Sequence, residues 1–221
     1  MIPIRDRNPS GKFPFVTYLL IGINILVFLY MFFLPERLCE EFIYHYALIP
    51  ALLIKGQNLF SLFASMFLHG SLGHIFGNMI FLNIFGDNLE GKLGRLKYLI
   101  FYLFCGLGAS ALQIFSDPNS QIPMLGASGA IAGIMGGYLI FFPNHRIDIL
   151  FSFGWFIRTA TVPAYTMLIY WIFVQFLYGF GSLRIPQLGG VAYFAHVGGF
   201  FAGLLMVLFF RRRKKRNNKY Y

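Results

Sequence analysis

Six apolar stretches run along the chain, at about 14–34, 71–89, 95–115, 127–142, 162–179 and 190–210. A helix rising 1.5 Å per residue needs about 20 apolar residues to cross roughly 30 Å of hydrocarbon, and each stretch meets or approaches that length. Between them stand residues that end helices: Pro35, Gly91 with Gly94, Pro118 and Pro123, Pro143, and Pro186 with Gly189. The pattern predicts an all-α polytopic membrane protein, one six-helix bundle over 14–210, with a cytoplasmic segment 1–13 before it and a basic cytoplasmic tail 211–221 after it. No internal repeat is evident. The segment 36–70 carries two short amphipathic pieces, around 44–53 and 59–68, and is expected to lie along or partly in the outer leaflet.

Composition agrees with this reading. Hydrophobic residues make up 57% of the chain and charged residues 12%, about half the share in soluble domains, and the mean hydropathy is +0.65. The net charge of +10 raises nucleic acid as a partner, but seven of the 18 basic residues fall in the last eleven positions, directly after an apolar run. A basic cluster there marks the cytoplasmic side and its anionic lipids, so nucleic acid is set aside. With both termini cytoplasmic, 15 basic residues lie inside and only Arg37, Lys55 and Arg184 outside. The compact chain, read without a transit peptide, is expected in a bacterial plasma membrane. Cys39 falls in a loop and Cys105 in mid-span, which argues against a disulfide between them.

Polar residues inside spans are costly and mark function by default. Ser128 opens the fourth stretch in Gly126-Ala127-Ser128-Gly129, fifteen residues before Pro143. At 1.5 Å each that is roughly 22 Å, short of a full crossing, so the serine is recessed below the outer surface at a helix N-terminus. His196 stands fifteen residues before Arg211, at the same depth, and His74 and Asn78 precede Glu90 by sixteen and twelve. Three spans thus bring Ser128, His196, His74 and Asn78 to one level. Small-residue faces, Gly129 with Gly133 and Gly199 with Gly203, allow two of those helices to touch closely. A serine hydroxyl becomes a nucleophile when a base within hydrogen-bond reach takes its proton, and His196 is placed for that. The helix N-terminus, Asn78 and His74 are placed to stabilise an oxyanion.

These motifs resemble those of the rhomboid intramembrane serine proteases. Gly126-x-Ser128-Gly129 matches the family's GxSG. Ala195-His196-x-Gly198-Gly199 with Gly203 matches its AHxGG(x)3G, and His69 through His74 to Asn78-Met79 matches HxxxxHxxxNM. The resemblance runs from about 14 to 210 and implies a Ser128–His196 dyad without an acidic third member or any metal or cofactor. It further implies oxyanion support from His74, Asn78 and Gly126, with His69 as a possible supporting residue behind them. The substrates it implies are single-span membrane proteins, cut near the outer face. By position, Trp171 and Gln175 on the fifth span and residues 181–190 correspond to the family's lateral gate and cap. One departure stands out. Some members carry an aromatic residue four positions after the nucleophile, beneath the histidine; here it is Ala132, so the imidazole must be supported from elsewhere.

Each of these residues also has an ordinary structural reading. A lone serine in a glycine-rich span is usually a packing residue, and a lone histidine there can pin two helices together. His45 and His145 read as solvated or interfacial residues, Glu90 as part of a structural ion pair. A zinc protease would need H-E-x-x-H and an aspartyl one two Asp within spans; neither pattern occurs. A transporter, or a catalytically inactive rhomboid-like protein that only binds membrane proteins, are the competing functions. The joint occurrence of Ser128, His196, His74 and Asn78 favours catalysis over both.

Overall fold

The structure is a computed structural model that describes residues 1–153, 156–184 and 191–214. Long helices stand at all six expected positions: α1 (Phe15–Phe33), α5 (Leu72–Leu93), α6 (Arg95–Ser116), α7 (Ser128–Phe141), α8 (Ala164–Arg184) and α9 (Tyr193–Lys214). Between α1 and α5 lie α2 (Glu36–Tyr46), the single turns α3 (Pro50–Leu53) and α4 (Ser61–Ala64), and a 3-10 turn over Ser65–Phe67. Among the described residues, three helices are long and apolar enough to cross a membrane: Phe15–Phe33, Arg95–Ser116 and Ala164–Ser182. Two shorter apolar helices cover Ser128–Phe141 and Tyr193–Phe209, and the apolar run of α5 is interrupted near its end by Asp87 and Glu90.

The bundle is built around α7. Every residue from 129 to 138 is buried, with α5, α6 and α9 packed about it. Two glycines of α9 make that possible. A methyl group at Gly199 would overlap the carbonyl oxygen of Gly129, and one at Gly203 the carbonyl oxygen of Gly133. The small-residue faces therefore meet backbone to backbone, as their spacing predicts. With only 14 residues, α7 is about 21 Å long, so its N-terminus is recessed within the bundle.

Two findings depart from the sequence reading. The chain is not purely helical: β1 (Ile2–Asp6), β2 (Arg146–Phe153) and β3 (Phe156–Pro163) form an antiparallel sheet in that order, at the end of α7 away from Ser128. Buried Ile147 and Ile149 face the helices. Asp148, which pairs with Arg5 across β1, accepts from Thr161 Oγ1 at 2.6 Å and from Arg7 Nε at 2.8 Å. The Thr161 hydroxyl first and then Arg7 hold its carboxyl below the usual range. Second, Glu90 makes no ion pair among the described residues. Its buried carboxylate accepts from the amides of Val16 (2.9 Å) and Thr17 (2.8 Å) and from Thr17 Oγ1 (2.9 Å). It thus satisfies the free N–H groups at the start of α1, where a negative charge also suits the helix dipole.

Candidate active site

Each site residue is placed by the ends of its helix. Ser71 caps α5, its hydroxyl accepting from the His74 amide at 3.2 Å, which sets His74 in the first turn and Asn78 one turn further on the same face. Before α7, the chain is tied to the segment 36–70 at three places, the first where the Ala51 amide donates to the Ser120 carbonyl at 3.1 Å. Leu48 and Met124 exchange amide–carbonyl bonds of 2.9 and 2.8 Å, and the Gly126 amide donates to the Ser65 carbonyl at 2.8 Å. Gly126 then turns with φ +125°, and a side chain there would run into the His74 imidazole. Only glycine suits that backbone and that space. Ser128 follows as the first residue of α7.

Across the cavity, Gln113 Oε1 on α6 accepts from the Ala195 amide at 3.2 Å, holding the first turn of α9. His196 sits beside it and lies 2.9 Å, Nε2 to Oγ, from Ser128. Its other ring nitrogen, Nδ1, is 2.7 Å from Gln175 Oε1 on α8, and the Trp171 ring lies 5.7 Å from the imidazole, inclined by 38°. Trp171 and Gln175, expected at the lateral gate, are thus the side chains in contact with His196 from that helix. The imidazole is flanked from α8, at Nδ1 and beside its ring.

A cavity of about 540 Å³ brings Ser128, His196, His74, Asn78, Gly126 and Trp171 to a common wall. Asn78 is 7% exposed and its Nδ2 has no hydrogen-bond partner among the described residues. A buried donor left unpaired costs free energy, and it stands ready for an acceptor entering the cavity. His69 is buried just behind, its ring 5.0 Å from that of His74, edge to face. Burial, and next the neighbouring His74, hold its pKa down to about 4, against a smaller upward pull from the Phe67 backbone. Gln113 is the residue of this neighbourhood that sequence reasoning missed; its signal, an amide in the last turns of an apolar span, is a weak one. The expected cap at 181–190 lies, from 185 onward, outside the described residues, as does the end of the basic tail from 215.

Helices of this length and apolarity mark an integral membrane protein. More particularly, the chain belongs to the rhomboid family, whose members are generally intramembrane serine proteases: the Rhomboid domain model matches residues 56–213. The chain is 32% identical over 153 residues to RHOMBOID-like protein 4 of Arabidopsis thaliana, covering 69% of this chain and 34% of that protein. It is 29% identical over 194 residues to Rhomboid protein 1, mitochondrial, of Saccharomyces cerevisiae, covering 86% and 51%. With the Rhomboid protease GluP of Bacillus subtilis it shares 29% identity over 198 residues, covering 87% and 35%. The chain thus spans about a third to a half of the length of these relatives.

Proposed function

We propose that the chain is an intramembrane serine endopeptidase that cuts membrane-protein substrates near the outer face of the bilayer, with Ser128 as nucleophile and His196 as general base. The observation that carries this reading is the 2.9 Å contact between His196 Nε2 and Ser128 Oγ, at the wall of a cavity into which a buried, unpartnered Asn78 donor also opens. His196 Nε2 takes the hydroxyl proton as Oγ attacks the scissile carbonyl carbon. The tetrahedral oxyanion receives Asn78 Nδ2–H, with His74 beside it and the first-turn amides of α7 completing the field. His196 then gives its proton to the departing amine, and water, activated by the same imidazole, releases the acyl group from Ser128.

In this reading all six long helices cross the bilayer. The termini are cytoplasmic, as the distribution of basic charge requires, and the basic tail contacts anionic lipid headgroups. Single-span proteins are the substrates, approaching past α8. The relatives named above come from a plant, a yeast and a bacterium, so the likeness points to a membrane and not to one compartment. Cleavage of a single-span reporter in liposomes tests the activity. The purified wild type should release two fragments and Ser128→Ala none. Equal turnover by both would overturn the mechanism, and an uncleaved reporter that stays bound to both would make the chain a non-catalytic binder.

A further inference from the structure

The base of this dyad has two ring nitrogens, and each has one partner among the described residues. Nε2 faces Ser128 at 2.9 Å; Nδ1 faces Gln175 Oε1 at 2.7 Å. Gln175 is 8% exposed, one turn after Trp171 on the same face of α8. We propose that Gln175 is a positioning residue of the dyad: its side-chain carbonyl accepts the His196 Nδ1–H and so fixes the tautomer whose Nε2 lone pair faces the serine. This inference rests on the catalytic reading above and deepens it.

A neutral imidazole carries one N–H and one lone pair, so what lies against one nitrogen decides the state of the other. With a carbonyl oxygen against Nδ1, the proton resides on Nδ1 and Nε2 is free to accept from Ser128. If the amide presented its NH2 instead, the proton would move to Nε2 and the base would be lost. The same Oε1 continues to accept when His196 becomes an imidazolium. An amide does this with a dipole rather than a charge, which suits a site without a carboxylate. The groups that face the imidazole are Ser128 from α7, His74 from α5, Trp171 and Gln175 from α8, and Tyr193 on its own helix, 6.5 Å away ring to ring.

The test compares the wild type, Gln175→Leu, Gln175→Glu and Ser128→Ala on a single-span reporter in liposomes, measuring kcat and KM across pH. Loss of the acceptor in Gln175→Leu should lower kcat roughly 10- to 100-fold, by analogy with a metal-bound histidine that loses its orienting partner, with KM within about twofold. Gln175→Glu should retain catalysis, because a carboxylate also accepts from Nδ1. Its negative charge should move the acid limb of kcat/KM upward by about one pH unit. A kcat for Gln175→Leu within about twofold of wild type, or an unshifted acid limb in Gln175→Glu, would reduce Gln175 to a packing residue; the second result decides alone if Gln175→Leu does not fold. Persistent cleavage by Ser128→Ala would sink the dyad and this role together. An inactive Ser128→Ala beside an indifferent Gln175 removes only the positioning role.

Discussion

At Asn78 the chemistry narrows to a single amide. Its Nδ2 is buried and has no partner among the described residues, so the donor is satisfied when an acceptor occupies the cavity. Asn78→Ala should therefore lower kcat by about 100-fold or more while leaving KM nearly unchanged, as loss of one oxyanion donor does; an unaltered kcat would make it a packing residue. His69 yields a pH prediction. Its pKa is about 4 in the fold against an ordinary 6.5, so between those values the unfolded chain binds more protons. The stability it contributes is complete above about pH 6.5 and is lost as pH falls toward 4. Thermal melting in detergent should show that acid loss in the wild type and less of it in His69→Phe; identical pH curves would contradict it. Ser128, His196, His74 and Asn78 were legible in the sequence because a helical rise converts spacing into depth. The contact of Gln175 with His196 was not, because it depends on how α8 rotates against α9, which no spacing encodes.

The helices were read closely from apolar runs and their Pro and Gly punctuation, and so was the crossing of α7 with α9, from its glycines. Gly203→Val should fail there, since even a methyl group overlaps the Gly133 carbonyl. The expected result is loss of the folded protein on gel filtration, where a well-folded variant would refute the backbone contact. The sheet escaped the sequence reading for a different reason. β1 pairs residues some 140 positions apart, Asp6 with Ile147 and Ile2 with Leu150, and such a pairing leaves no local signal beyond a brief alternation at Arg146–Ile149. Glu90 escaped as well, because its partners are two backbone amides and the Thr17 hydroxyl rather than cations. Replacing it by alanine leaves buried donors at the start of α1 unsatisfied and should cost about 2–3 kcal/mol in unfolding measurements.

For the whole molecule, the sheet and the cavity occupy opposite ends of α7, and the sheet end is anchored. Asp6 accepts from Asn88 Nδ2 at 2.6 Å and from the Tyr138 hydroxyl, which also lies 3.0 Å from His145 Nδ1. The N-terminal strand is thereby fastened to the foot of the helix that carries Ser128. The orientation proposed above, with the termini inside, can be read by chemical labelling. With the termini inside, partly exposed Cys39 on α2 faces out, while Cys105 is fully buried. A membrane-impermeant thiol reagent should label Cys39 on intact cells; labelling only after permeabilisation would invert the topology. The most direct measurement of the central proposal is mass-spectrometric mapping of a fluorophosphonate adduct on the purified protein. The expected adduct lies on Ser128 in the wild type and is lost in His196→Ala. An adduct elsewhere, or equal labelling of Ser128 without His196, would contradict a serine activated by that histidine.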